Sequence, residues 1–208
     1  KACLVGSEMC IRDSLMTMST YKSLGGPPSG LIVTNDADVA ERLDATAYPG
    51  LTANFDAAKS ASLAITLLDW KAHGEAYARM MAQTARALGE ALVERQVPVF
   101  ARDRGITTSH QFAVEAAPFG GGQAAAKTLR AVNILSCGIG LPLPAVAGDV
   151  NGLRLGTPEI VRFGMTPAEM PELAGYIAEG LNGSRPADAV ARDVTAFRGR
   201  FRDLHFMR

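Results

Sequence analysis

Apolar residues return along this chain with two different periods. Between residues 55 and 95 they recur every three or four positions, with Tyr77, Met80, Met81, Ala85, Leu88 and Leu92 on one face, the spacing of a helix that buries a stripe. Gly74 predicts a break, so helices are expected over 55–73, capped by Asn54, and 75–95. Short apolar runs bounded by turn residues predict strands at 30–34, 97–100, 108–115, 134–137 and 153–156. Asn35-Asp36 offers an N-cap for a helix over 38–43, and 48–53 reads as a Pro/Gly loop. Gly120-Gly121-Gly122 opens a helix over 123–132, and a plain turn is favoured there over a phosphate cradle because no P-loop lysine follows. Thr157-Pro158-Glu159 places proline at a first helical position. Thr166-Pro167-Ala168-Glu169 repeats that signature with the spacing of a capping box, for a helix to about 180. After a linker at 183–186, Val190, Val194, Phe197 and Phe201 predict a last amphipathic helix over 187–205. Strands alternating with helices make the class α/β.

The 208 residues carry no net formal charge and are 48% hydrophobic and 20% charged, enough for one or two domains with a sizeable core. No apolar run reaches the ~18 residues a membrane span needs, and the expectation is a cytoplasmic protein without a membrane partner. Charge balance argues against nucleic acid. The six arginines and three aspartates of residues 183–208 read as a solvated helix face. Cys3, Cys10 and Cys137 form neither a disulfide framework nor a zinc spacing, and His73, His110 and His205 lie too far apart in sequence to suggest a metal.

One residue changes the picture. Lys22 stands in Met16-Thr17-Met18-Ser19-Thr20-Tyr21-Lys22-Ser23-Leu24-Gly25-Gly26-Pro27, after a hydroxyl-rich extended run and before a Gly-Gly-Pro turn. An amine held there can form a Schiff base with a carbonyl cofactor. Three further stretches accompany it: Tyr48-Pro49-Gly50-Leu51, then Leu153-Arg154-Leu155-Gly156-Thr157-Pro158-Glu159 with Arg162-Phe163-Gly164, then Met170-Pro171-Glu172-Leu173-Ala174-Gly175-Tyr176. In identity and order these resemble the serine hydroxymethyltransferase family, a branch of the fold-type I enzymes that use pyridoxal 5′-phosphate. The resemblance covers residue 15 onward and implies the C-terminal part of a fold-type I transferase. Residues 15–95 would be a remnant of the large cofactor-binding domain and 96–208 the small C-terminal α/β domain. Residues 1–14 resemble a translated adapter tail and are expected to be non-native.

The resemblance also implies roles. Lys22 would be the Schiff-base lysine. Ser19, Thr20 and Tyr21 would contact the cofactor, with Thr20 and Tyr21 also assisting proton transfer; Tyr21 stands where the family usually has histidine. Arg154 would hold the substrate carboxylate, because a planar guanidinium gives two parallel hydrogen bonds and so fixes orientation. An amino-acid substrate and a homodimer are implied for the whole enzyme. Three departures matter. Gly25 replaces the family's arginine, and the loop after Leu51 reads Thr52-Ala53-Asn54-Phe55. The stretch Ser136-Cys137-Gly138-Ile139-Gly140 lacks the family's folate-site asparagine, which counts against tetrahydrofolate. The expectation is a hydroxymethyltransferase acting on serine-type amino acids, α-methylserine included, with this C-terminal portion inactive alone. The alternatives are a folate-independent aldolase on β-hydroxy amino acids and a silent piece of the same fold.

Overall fold

The computed structural model describes residues 15–54 and 56–208; the expected non-native tail lies outside them. The fold divides into two compact units. The first takes the described residues up to Ala72 together with Arg208, and the second is His73–Met207. The division falls inside one helix, and the sequence-derived domain boundary at 95/96 falls at that helix's end.

In the first unit, β1 (Met16–Ser19) and β2 (Gly30–Val33) form an antiparallel hairpin in which Ser19 faces Gly30 and Met16 faces Val33. Helix α1 (Ala37–Ala45) starts where predicted, because the Asp36 carboxylate accepts the Val39 N–H at 3.0 Å and satisfies an otherwise orphaned donor. A single wide turn, Thr46–Leu51, contains a cis Tyr48–Pro49 peptide. Helix α2 is continuous over Ala57–Glu94. The break expected at Gly74 does not occur. Gly74 is buried in mid-helix, where its ~1 kcal/mol propensity deficit is small beside the packing of a 38-residue helix.

The second unit is built on an antiparallel sheet in the order β3-β5-β4, with β3 Gln111–Glu115, β4 Cys137–Ile139 and β5 Gly152–Gly156. Helices α3 (Gly122–Ala131), α5 (Met170–Asn182) and α6 (Ala187–Arg198) and the second half of α2 supply the rest of the core. Leu92, Leu129, Leu153 and Met170 are fully buried there, each contributing about 1.5–3 kcal/mol. Helix α4 (Pro158–Arg162) is a short turn after β5. The capping box at Thr166 forms as predicted, with the Glu169 carboxylate accepting the Thr166 N–H at 2.7 Å.

Three expectations shift. The strand expected over 97–100 shrinks to one bridge, Val99 to Val114, because Ala101 turns left-handed at φ 57°. The strand expected over 134–137 begins at Cys137, and Leu135 remains 82% exposed. The last helix stops at Arg198 rather than 205.

Candidate functional site

Lys22 lies in the loop that joins β1 to β2, and the loop's shape is fixed by the residues around it. Thr20 is fully buried. Its backbone N–H reaches Ser29 O at 3.0 Å, and its carbonyl accepts the Gly26 N–H at 2.7 Å. Its hydroxyl donates to Ser29 O at 2.9 Å and to Pro27 O. The single hydroxyl proton is therefore shared inside the loop, and Thr20 acts as its clasp. Within that clasp Gly25 N–H closes a turn on Lys22 O at 2.8 Å, and Gly25 takes φ 74°, a conformation that favours glycine over the arginine of the resembled family.

From outside, α2 holds the same loop. Trp70 Nε1 donates to Leu24 O at 2.7 Å. A Cβ on Gly26 would lie 3.1 Å from Thr20 O and 3.4 Å from Leu63, so loop and helix are in close contact. Lys22 itself is exposed and, among the described residues, its amine has neither hydrogen bond nor ion pair. Tyr21 is 55% exposed and Ser19 half-buried. The local sequence thus builds a pinned loop that carries an exposed amine.

Arg154 belongs to the second unit, at the middle of the central strand β5. Register places Ala113 of β3 and Cys137 of β4 directly across from it. Cross-strand partners project to the same face, so two small side chains flank the guanidinium. Leu153 and Leu155 point to the other face and are buried. Arg154 is exposed and, among the described residues, its guanidinium holds no hydrogen bond or ion pair. A planar five-donor group left open on a hydrogen-bonded strand is suited to grip a carboxylate.

The end of β5 is locked. Thr157 is fully buried, its hydroxyl donating to Met81 O at 2.7 Å and its N–H to His110 O at 3.0 Å. His110 was missed from sequence, where three scattered histidines suggested nothing. Partial burial lowers its imidazole pKa, and the nearby Arg154 charge lowers it further. The signal that could have found it is its position just before the strand that pairs with the Arg154 strand.

The glycine run before α3 is not open to an anion. Asp149 fills the helix start, its carboxylate accepting N–H groups from Gln123 at 3.1 Å and Ala124 at 2.9 Å. Those bonds, led by Ala124, hold its pKa below the usual carboxylate value. Gly122 and Gly138 let helix and sheet backbones touch; a Cβ on Gly122 would lie 2.0 Å from Gly152 O. Among the described residues no group of side chains could hold a metal ion, and no helix is long and apolar enough to cross a membrane.

Residues 6–177 match the serine hydroxymethyltransferase family profile. An alpha-methylserine aldolase of Ralstonia sp is 64% identical over 194 residues, which are 93% of this chain and 44% of that protein. A serine hydroxymethyltransferase of Pyrobaculum arsenaticum is 38% identical, over 92% of this chain and 44% of its own length. The chain thus spans less than half the length of these relatives. The crystal structure of an L-threonine transaldolase from Pseudomonas fluorescens superposes with a TM-score of 0.81 at 24% identity, over 93% of this chain and 44% of that one. That likeness shows the fold alone, part of the fold-type I α/β arrangement.

Proposed function

Because the chain belongs to the serine hydroxymethyltransferase family, we propose that it is the C-terminal portion of a pyridoxal 5′-phosphate enzyme that breaks the Cα–Cβ bond of a serine-type amino acid, with α-methylserine as the preferred substrate. In this reading residues 15–95 finish the large domain and 96–208 form the small one. The observation that carries the proposal is the open guanidinium of Arg154, fixed in mid-strand between two small neighbours. The higher identity to an alpha-methylserine aldolase than to a serine hydroxymethyltransferase, 64% against 38%, supports the choice of substrate.

The donors present fit the cofactor. Lys22 offers an unengaged amine on a loop pinned from both sides, and Tyr21 and Ser19 flank it with hydroxyls. When bound, the cofactor supplies an electron sink for the bond broken at the substrate α-carbon. Arg154 binds the substrate carboxylate bidentately and so sets which α-carbon bond faces that sink. For α-methylserine the hydroxymethyl group leaves as formaldehyde, the α-carbon gains a proton, and alanine remains. Thr20 is assigned to positioning: its clasp holds Lys22 in place, while its hydroxyl proton is committed to Pro27 and Ser29.

Gly138 supports a reaction without tetrahydrofolate. It lies in the stretch where the family carries its folate-site asparagine, and a Cβ there would meet Val150 at 2.7 Å and the backbone of Gln123 and Gly122 at 2.9 Å. Position 138 has no room for a side chain that could face a pterin. In the same proposal the whole enzyme is a cytoplasmic homodimer.

The test is turnover by the full-length enzyme of α-methylserine, L-serine and threonine, with and without tetrahydrofolate. Preference for α-methylserine without folate is expected; strong preference for L-serine with folate contradicts the reading. Arg154→Lys should raise KM for the amino acid by more than about tenfold, since a lysine cannot reproduce the bidentate grip.

A further inference from the structure

The Arg162-Phe163-Gly164 motif has no part in the site described above, yet Arg162 and Gly164 are engaged by the chain that follows α6 and Phe163 by the last residue of α6. Arg162 Nη1 donates to Phe206 O at 2.7 Å, and Arg162 O accepts the His205 N–H at 2.8 Å. Phe163 lies under the Arg198 guanidinium at 3.9 Å, and Arg198 in turn donates to Phe201 O. Gly164, at φ 88°, leaves space that the His205 ring fills; a Cβ would stand 2.6 Å from Nε2. Phe206 is held at φ 61°, a backbone state that a non-glycine residue keeps only when its surroundings determine it.

The cluster converges on Tyr77. Its buried ring stacks on Phe206 at 5.4 Å and lies 4.3 Å below the Arg162 guanidinium. Its hydroxyl donates to Pro158 O at 2.8 Å. Burial pushes the phenol above its ordinary range, so it stays a donor at neutral pH. Pro158 follows Thr157, the residue that closes the β3–β5 ladder and is tied to Met81.

We propose that Arg162, Phe163 and Gly164 form a seat for residues 201–206, and that the seated segment, acting through Tyr77, fixes the turn that ends the Arg154 strand. Tyr77 and Phe206 are thereby positioning residues for amino-acid binding. The second half of this inference rests on the role proposed for Arg154; the first does not.

Hydrogen exchange on the 208-residue chain tests the seat. In Phe206→Ala the amides of Val161, Phe163 and Gly164, which close the α4 turn, should exchange roughly tenfold faster, with α5 unchanged. Gly164→Ala should produce the same pattern by expelling His205. Unchanged exchange over 158–165 in both variants overturns the seat. Kinetics of the full-length enzyme test the positioning. Tyr77→Phe keeps the ring and loses the hydroxyl, with its bond to Pro158 O and its hydrogen bond with Arg162, so KM should rise about threefold or more with kcat within about twofold, while the ring stacking on Phe206 is kept. An unchanged KM overturns the positioning role. A parent enzyme inactive on every β-hydroxy amino acid would count against the proposed function, and the exchange result would still decide the seat.

Discussion

The two units of this chain share an α/β sequence pattern and differ in what they bury. In the second, apolar periodicity closes on itself: α2, α3, α5, α6 and the sheet enclose one core. Among the described residues of the first, only Thr20 and Asp69 are buried, while Leu51, Ile65, Ile32, Leu67 and Leu68 stand in water. Leu51 is 81% exposed. Helical or strand spacing fixes an element's local form, but the form lasts only if something covers its apolar face. The second unit finds that cover in its own sequence. The first holds the Lys22 loop by hydrogen bonds from Thr20 and Trp70 and leaves these apolar side chains exposed.

Substitutions can break or sharpen this contrast. The largest effect is expected in the closed core. Leu92→Ala and Leu153→Ala, both at 0% exposure, should each cost about 2–5 kcal/mol in denaturant unfolding. A loss below about 1 kcal/mol would mean that the second unit is not a packed core. Next comes the glycine seam. Gly138→Ala forces contacts of 2.9 Å or less with Gln123 N and Gly122 C and should cost about 1–3 kcal/mol, measured in the same way.

A pH effect follows from Asp149. Its folded pKa is depressed below the ordinary 3.8, so the folded state binds fewer protons there than the unfolded one. The stability it contributes is complete above the ordinary value and is lost as pH falls through the depressed one. Asp149→Asn should lower Tm at pH 7 and flatten the acid limb of the Tm–pH curve; an unchanged acid limb would remove the helix-capping role. The smallest effect belongs to the first unit. Ile65→Ser and Leu68→Ser should shift stability by no more than about 0.5 kcal/mol while reducing binding of a hydrophobic dye. A cost of several kcal/mol at either position would show a core where none is described.

The contrast also explains what was legible in the sequence. Caps were, because they are local: Asp36 and the Thr166–Glu169 box formed where predicted. The strand carrying Arg154 was legible because Leu153 and Leu155 alternate with it. The glycine turn before α3 was placed, but its filling by Asp149, 26 residues beyond Gln123, was not, since no local spacing reports a distant carboxylate. Leu135 misled because an apolar residue in an apolar run need not be inside. The last helix was overdrawn because Phe201 keeps helical spacing after Arg198, whereas the chain beyond turns onto Arg162 and Tyr77. Lys22 and Arg154 were picked out by motif. What no motif could reveal is how each is held: a clasp through Thr20, a tether through Trp70, and small flanking residues set by strand register.

The central claim is that the Lys22 amine is where the cofactor attaches. Pyridoxal 5′-phosphate added to the full-length enzyme, fixed by borohydride and mapped by mass spectrometry, addresses it directly. The pyridoxyl mass should sit on the peptide containing Lys22 and vanish in Lys22→Ala, in an enzyme that still melts cooperatively. The same mass on another lysine, or its persistence in Lys22→Ala, would contradict the account.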